Sequence, residues 1–262
     1  MNINRIYKGI ILLLFATAQI DAQFKNMEII PVEKAQQGVA VDSDHFYVIN
    51  NFTITKHAKS SGKKVADWSG EQFGLKHLNS GIVIDGKLYC VHSNYPALPM
   101  VSSVEIFDPE TLEHIGTHSF GIAYGSLTWL DYKDNSWWAV FANYNKEGYP
   151  FPNTWTILVQ FSDKWKQLQS WIFPTDLIEK FGNMSCSGGF WVKDDYMYIT
   201  GHDLQEFYQI RLPQMGSVLI WEKTVMVPIT GQGIAVDKSR IPYVYYGIDR
   251  KKGQVIRFTI EE

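Results

Sequence analysis

Side chains that can carry protons follow two apolar segments of this 262-residue sequence, one in each half of the chain. The first stands in the string His92-Ser93-Asn94-Tyr95, and the second in Gly201-His202-Asp203. Imidazole titrates near neutral pH and a phenol hydroxyl can donate a proton, so both suit general acid–base catalysis. The predicted catalytic residues are His92, His202, Tyr95 and Tyr144.

A second set of polar residues can bind a ligand, because amide, carboxylate and guanidinium groups form directed hydrogen bonds. The predicted binding residues are Asn79, Asn94, Asn143, Asp203, Gln232, Asp249 and Arg250. Structural roles compete with this interpretation. Either histidine could bond neighbouring strands, Asp203 and Asp249 could cap turns, and Arg250 could lie in a solvated basic turn.

A repeated phrase indicates which elements position these residues. Gln37-Gly38-Val39-Ala40-Val41-Asp42 recurs as Gln232-Gly233-Ile234-Ala235-Val236-Asp237, and each copy precedes a turn and an apolar strand. Looser copies begin at Ser80, Ser126 and Ser187. Five units of four strands predict an all-β fold, a five-bladed β-propeller.

The last unit, residues 232–260, has only three strand-like runs. We therefore predict that an N-terminal strand over residues 26–32 closes the last blade, which removes free sheet edges. One short helix is predicted between blades over residues 175–181, with Thr175 as its cap.

The propeller geometry predicts a single site. The innermost strand of each blade starts, and the second strand ends, at the same face of the ring. The candidate residues all fall at these positions, so we expect them around the channel mouth, the default place for a binding site. The opposite strand ends, such as Asp131-Tyr132-Lys133, are composed like ordinary turns.

Bulk properties exclude several classes. Residues 1–22 have the basic start, apolar run and cleavage site of a signal peptide, so export to the periplasm or beyond is predicted, with residues 23–262 as one domain. No later segment is long and apolar enough to span a membrane. A net charge of −3 with no basic stripe argues against nucleic acid. We expect a monomer in which Cys90 and Cys186 are buried thiols, with a bridge between them as the alternative.

Familiar catalytic motifs are absent from the sequence. It has no nucleophile elbow, no HExxH zinc motif and no phosphate loop. Glycoside hydrolysis would need two carboxylates at the mouth, and only Asp203 and Asp249 are offered there. No cofactor is predicted, although His92, His202 and one of these aspartates could hold a divalent metal.

The strings His92-Ser93-Asn94-Tyr95-Pro96, Gly201-His202-Asp203 and Gly247-Ile248-Asp249-Arg250 resemble a family of secreted bacterial propellers described as cycloisomerase-like. Oligosaccharide dehydratases of ulvan-type algal polysaccharide degradation belong with it. The resemblance covers most of the mature chain and implies a carbon–oxygen lyase that eliminates water from a terminal uronate of an oligosaccharide.

The residues offer the groups that such an elimination requires, which are proton carriers and donors for the carboxylate. Two alternatives remain open at this point. One is a carbohydrate-binding propeller without turnover, and the other is a metal-dependent lactonase or hydrolase.

Overall fold

Five antiparallel sheets of four strands each form a five-bladed β-propeller, which confirms the predicted fold. The computed structural model describes residues 24–192 and 196–260. The predicted signal peptide lies outside these residues. Each blade except the last is one continuous meander, in the order of its strands along the chain.

Turns and loops of different lengths connect the strands along the chain. Blade one contains β2 to β5, which span Gly38–Val41, His45–Asn50, Thr53–Ala58 and Lys64–Ser69. Blade two contains β6 to β9, which span His77–Ile84, Lys87–Ser93, Ser102–Phe107 and His114–Gly121. Blade three contains β10 to β13, which span Ser126–Lys133, Ser136–Ala142, Ile157–Ser162 and Gln167–Ile172. Blade four contains β14 to β17, which span Gly188–Trp191, Met197–Thr200, Glu206–Arg211 and Ile220–Met226.

Blade five is closed by the N-terminal strand, as predicted. It contains β18 to β20, which span Ala235–Asp237, Val244–Asp249 and Gln254–Ile260. Strand β1 (Phe24–Pro31) pairs antiparallel with β20 and completes the sheet. The closure joins both ends of the described chain in one sheet, so the ring cannot open without breaking this ladder.

The cores lie between blades, where apolar side chains of facing sheets interdigitate. Between blades one and two, for example, Tyr47 and Ile49 pack with Leu88 and Phe107. Burying large apolar side chains on both faces of each sheet provides most of the stabilisation. Cys90 and Cys186 are buried free thiols, which confirms that prediction.

The predicted helix is present as α1 (Thr175–Lys180), between blades three and four. Pro174 occupies the N-cap position without a side-chain capping bond, and Thr175 is the first helical residue, so the prediction that Thr175 caps the helix is wrong. Two 3₁₀ turns, Glu71–Phe73 and Asn153–Trp155, occur in connections. In the part of the chain that the structure describes, no helix has the length and apolarity to cross a membrane.

Strand β10 runs further than the sequence predicts, and Asp131 is not a turn residue. The turn lies at Asp134 and Asn135, which have positive φ values of 53° and 54°. Asp131 is 4% exposed, and its carboxylate accepts hydrogen bonds from the Trp191 and Tyr132 amides at 2.6 and 2.8 Å. Burial raises the pKa of Asp131, against the opposing effect of Lys238 and these amides. It therefore links blade three to blade four.

Glycines allow the innermost strands to approach one another at the waist of the channel. A Cβ on Gly38 would lie 2.6 Å from the Asn79 carbonyl oxygen and 3.0 Å from the Gly233 Cα. A Cβ on Gly188 would lie 2.4 Å from the Gln232 carbonyl oxygen. These are backbone contacts that no side-chain rotation can relieve. They explain why glycine is the second residue of the repeated phrase.

We expect Gly38→Ala to destabilise the protein by about 2–3 kcal/mol, because the added methyl group must push two backbones apart. Gly116→Ala is the matched control, since its Cβ would lie 3.6 Å from the Ile106 side chain, an ordinary contact. Urea denaturation of both variants measures the difference. Equal stability of the two variants would contradict this account of the waist.

Candidate functional site

The mouth is defined here as the channel end where the first strand of each blade starts and the second ends. The strand register shows this meeting directly, in the cross-strand pairs Gly38 with Ile49, His77 with Ser93, Ser126 with Ala142, and Gly188 with Thr200. Neighbouring blades are linked at this end. Ser93 Oγ lies 2.8 Å from Ser126 Oγ, and the Gly233 amide donates to the Gln37 carbonyl at 2.8 Å.

A histidine that sequence reasoning missed, His77, lies at the mouth on the first residue of β6. Its Nδ1 is 3.1 Å from Asn51 Oδ1, and the side-chain amide of Gln37 donates to the same oxygen at 2.8 Å. Because Asn51 Oδ1 can only accept, His77 Nδ1 carries the hydrogen. The Nε2 lone pair is therefore left for a ligand or substrate, as a general base requires.

The environment keeps the His77 imidazole neutral. Burial first, and then the charges of His92 and Arg250, lower the pKa of His77 to about 4. His92 lies beside His77 in the sheet, since it pairs with Leu78, the next residue of β6. His77 is thus an uncharged base at neutral pH, and an anion bound beside Arg250 would remove part of the depression.

Asn51→Asp is expected to raise the pKa of His77 by about 1–3 units, because a carboxylate in hydrogen-bond contact stabilises the imidazolium. NMR titration of the imidazole measures the shift. Asn51→Ala is the control, in which burial persists and the pKa stays low. A pKa in the aspartate variant as low as in the alanine variant would disprove the contact.

His92 lies behind His77, at the interface of blades one and two. Its Nδ1 is 3.1 Å from Ser103 Oγ, and the Lys76 amide points at its Nε2 from 3.4 Å. Burial lowers the pKa of His92, while the charge of Glu105 acts in the opposite direction. His92 is therefore at the predicted end of the channel, set back from the opening.

Three tyrosines form one wall of the mouth. The Tyr95 ring centroid is 5.2 Å from that of His77 and 4.9 Å from that of Tyr144, and Tyr149 packs against both tyrosines. The Lys146 ammonium lies 5.3 Å from the Tyr95 and Tyr149 ring centroids, within cation–π range. Tyr149 and Lys146 were missed by the sequence analysis, since both stand in the long loop after β11.

Tyr144 is the most enclosed of these tyrosines. Burial raises its pKa, and a hydrogen bond with Ser126 only partly offsets that effect. Its hydroxyl therefore remains protonated at neutral pH. The Tyr149 hydroxyl donates to the Pro96 carbonyl at 2.9 Å, which ties the loop of blade three to the loop of blade two.

Arg250 forms the opposite wall with His202. The guanidinium donates to His202 Nε2 at 3.3 Å, and His202 Nδ1 lies 2.7 Å from Asp203 Oδ1. Both nitrogens of His202 are therefore engaged, so this histidine orients Arg250 and has no free lone pair. The structure brings His202 to the same end of the channel as His92, as the sequence predicts.

Several predicted binding residues stabilise their own loops. The Asn94 side chain donates to the Pro99 carbonyl and accepts from the Val101 amide, both at 2.9 Å. Asn143 donates to the Trp155 carbonyl at 3.1 Å. Asp249 accepts from the Lys252 amide at 3.1 Å and pairs with its ammonium, which is the turn-cap role that the sequence left open.

The floor of the mouth is made of buried amides. Gln232 has a left-handed backbone with φ of 68°, and its side chain approaches the His202 carbonyl at 3.5 Å. Asn79 Oδ1 is buried, and among the described residues it has no hydrogen-bond partner. An unsatisfied buried acceptor is costly, so it is a suitable place for a ligand hydroxyl.

His77 escaped prediction because β6 contains a bulge. The ladder between β6 and β7 shifts register between Leu78 and Gly81, so the strand starts at His77, before the copy of the repeated phrase that begins at Ser80. The polar pair Asn79-Ser80 hides this strand start in the sequence. A histidine just before the polar start of an innermost strand is the signal that could have found it.

The two aspartates predicted at the mouth both have partners. Asp203 pairs with His202, and Asp249 pairs with Lys252. Across residues 24–192 and 196–260, no three His, Cys, Asp or Glu side chains are grouped closely enough to hold a metal ion.

Comparison with known proteins supports the propeller fold and no more detailed similarity. No protein-family model and no curated protein matches the sequence. The structure is similar to CoXyl43, a GH43 β-xylosidase/α-arabinofuranosidase from a compost microbial metagenome, with a TM-score of 0.59 and 10% identity over 90% of this chain and 94% of that chain. RS223-β-xylosidase gives a TM-score of 0.58 and 11% identity over 90% and 95%. The WD40 repeats of RRP9 give 0.50 and 9% over 90% and 97%.

Proposed function

We propose that this protein is a carbohydrate-active lyase that eliminates water from the terminal uronate of an oligosaccharide at the propeller mouth. The observation that carries the proposal is the juxtaposition of a neutral imidazole, His77, with tyrosine hydroxyls and the Arg250 guanidinium. The resemblance to cycloisomerase-like propellers and ulvan-type dehydratases supports the same reaction, and export fits a substrate outside the cytoplasm.

A negatively charged sugar fits the cations of the mouth. Asp203 pairs with His202 and Asp249 with Lys252, and within the described residues neither of these aspartates forms an ion pair with Arg250 or Lys146. Two cations thus remain for a substrate anion. A guanidinium binds a carboxylate through two parallel hydrogen bonds, which also fixes the orientation of the sugar ring.

The residues present can perform a β-elimination. His77 Nε2 accepts the proton from the carbon next to the carboxylate, and the C–H electron pair forms the new double bond. The hydroxyl on the neighbouring carbon leaves as water with a proton from Tyr95, which packs against His77. Both side chains then exchange protons with solvent and return to their starting state. Arg250 stabilises the carboxylate while negative charge spreads onto it.

His92 and His202 support this chemistry in different ways. His92 acts on His77 electrostatically, because it lowers the pKa of that imidazole. His202 holds Arg250 through the hydrogen bond to its Nε2. Tyr144 keeps Tyr95 in place, and the unsatisfied Asn79 Oδ1 accepts a sugar hydroxyl at the floor.

The decisive experiment incubates uronate-terminated oligosaccharides with the protein and follows ultraviolet absorbance of the conjugated acid. The expected product has lost one water and keeps its glycosidic bonds. In the matched control substrate the terminal carboxyl group is a methyl ester, which has no charge and cannot form an ion pair with Arg250. A new reducing end without absorbance would indicate a hydrolase, and loss of turnover on chelation would indicate a metal-dependent enzyme. Either result would overturn the proposal.

A second candidate is a carbohydrate-binding propeller without turnover, which the wall formed by Tyr95, Tyr144 and Tyr149 favours. Aromatic rings present flat apolar faces, and these faces are complementary to the flat face of a pyranose ring. Calorimetry distinguishes the two candidates. Affinity for the intact sugar with no product after long incubation would establish binding alone.

A further inference from the structure

A chain of hydrogen-bonded side chains runs away from the mouth through the interface of blades one and two. His92 Nδ1 is 3.1 Å from Ser103 Oγ, which donates to Glu105 Oε1 at 2.6 Å. Glu105 Oε2 is 2.8 Å from His114 Nε2 and accepts from Thr117 Oγ1 at 2.6 Å. The chain crosses blade two from its second strand to its outermost strand.

The direction of these bonds fixes the tautomer of His92. Ser103 has one hydroxyl hydrogen, and Glu105 takes it, so Ser103 Oγ accepts from His92 Nδ1–H. The lone pair of His92 then lies on Nε2, which points toward the Lys76 amide beside His77. The buried Glu105 carboxylate thus orients the His92 imidazole through Ser103, in the way that carboxylates orient histidines in other protein sites.

Glu105 is an unusual residue to bury for structural reasons alone. Its side chain is 8% exposed, and its one ion-pair partner in the described chain is His114. Burial would raise the pKa of Glu105, but hydrogen bonds from Ser103, Thr117 and His114 outweigh burial and lower it. Glu105 is therefore ionised at neutral pH, and its negative charge raises the pKa of His92.

The outer end of the chain reaches solvent. His114 has a side chain 38% exposed. Together with Glu105 it lines a cleft of about 650 Å³ whose apolar walls are Trp68, Phe73 and Leu75. The outer end of this chain of hydrogen bonds is therefore open to water through the cleft, while its inner end lies behind the mouth.

We propose that Glu105 is a positioning residue that holds His92, through Ser103, in the Nδ1–H tautomer behind His77. The Lys76 amide donates to His92 Nε2, so the ring is held at both nitrogens and carries no substrate proton itself. Through His92, Glu105 influences the electrostatic environment of the proposed base His77. This inference rests on the proposed function for the role of His77.

The charged groups along this chain of hydrogen bonds can be separated. Glu105 on β8 acts on His92, His92 in turn acts on His77 on β6, and His114 on β9 lies beyond Glu105. From blade one, Lys56 on β4 faces this interface and pairs with Glu110 at 3.3 Å. An effect on His92 that depends on Glu105 is therefore assignable through the single variant Glu105→Gln.

The test measures the ring nitrogens of His92 by NMR in the substrate-free protein. We expect the Nδ1–H tautomer in the parent and loss of that preference in Ser103→Ala. Glu105→Gln should titrate His92 at lower pH, because the carboxylate charge that raises its pKa is gone. The matched control is Ser119→Ala, an exposed serine that pairs with Ser103 in the sheet register. An Nε2–H tautomer in the parent, or an unchanged titration in Glu105→Gln, would overturn the positioning role.

Turnover separates this inference from the proposed function. Ser103→Ala should reduce kcat about tenfold with KM unchanged, which is less than the loss of a proton carrier itself. Normal turnover in Ser103→Ala, despite an altered tautomer, would exclude a contribution of this positioning to turnover. A parent protein with the expected tautomer and no lyase activity would refute the proposed function and leave the positioning role intact.

Discussion

Replacing His77 with glutamine is expected to reduce kcat for uronate elimination by about 10²–10⁴-fold, the usual contribution of a general base. Glutamine keeps a donor for Asn51 Oδ1 and a similar volume, so the mouth should retain its shape. KM should change little, because the carboxylate is bound by Arg250. Steady-state kinetics on the ultraviolet signal provide the measurement.

The pH dependence makes this prediction more specific. A base with a pKa of about 4 stays neutral down to that pH, so kcat/KM should be constant near neutrality and fall only as the pH drops through about 4. The control is His45→Ala, since His45 follows the turn at the opposite end of blade one. Full activity in His77→Gln would remove His77 from the mechanism.

Replacing Arg250 with methionine is expected to reduce kcat/KM by about 10²–10³-fold, the typical cost of one donor that stabilises developing charge. Methionine preserves much of the length of the side chain and removes the guanidinium that His202 orients. Arg250→Lys should recover part of the loss, because an ammonium keeps the charge but cannot bind the carboxylate through two parallel bonds.

A second readout of the same variant does not depend on turnover. The charge of Arg250 lowers the pKa of His77, so Arg250→Met should raise that pKa in the free protein. Lys251→Ala is the matched control, because this neighbouring cation is exposed to solvent. A variant Arg250→Met that processes the charged substrate as well as the parent would exclude the proposed carboxylate contact.

Residue pattern alone predicted the architecture well. The repeated glycine phrase marked the innermost strands because only glycine permits the backbone approach at Gly38 and Gly233. The missing fourth strand of the last unit predicted the closure by β1, since an unpaired edge would otherwise remain. Both features arise from local chemistry that repeats along the chain.

The sequence predicted the positions of the candidate site residues better than it predicted their roles. His92, His202, Tyr95 and Arg250 lie at one end of the channel, because each stands at or just after the end of the second strand of its blade, and the meander sets the direction of that strand. Their partners could not be predicted, since those partners come from other blades. The bond from Arg250 joins His202 across two blades, and that contact turns a predicted proton carrier into an orienting residue.

The sequence by itself determined the five-bladed ring, its closure and the face that carries the polar residues, because strand periodicity and turn chemistry are written in neighbouring residues. The tertiary structure alone decided that His77 enters the mouth, that Asp131 is buried and that Glu105 stands behind His92. A one-residue change of register moves a side chain to the other face of a sheet, and burial depends on blades that meet only after folding.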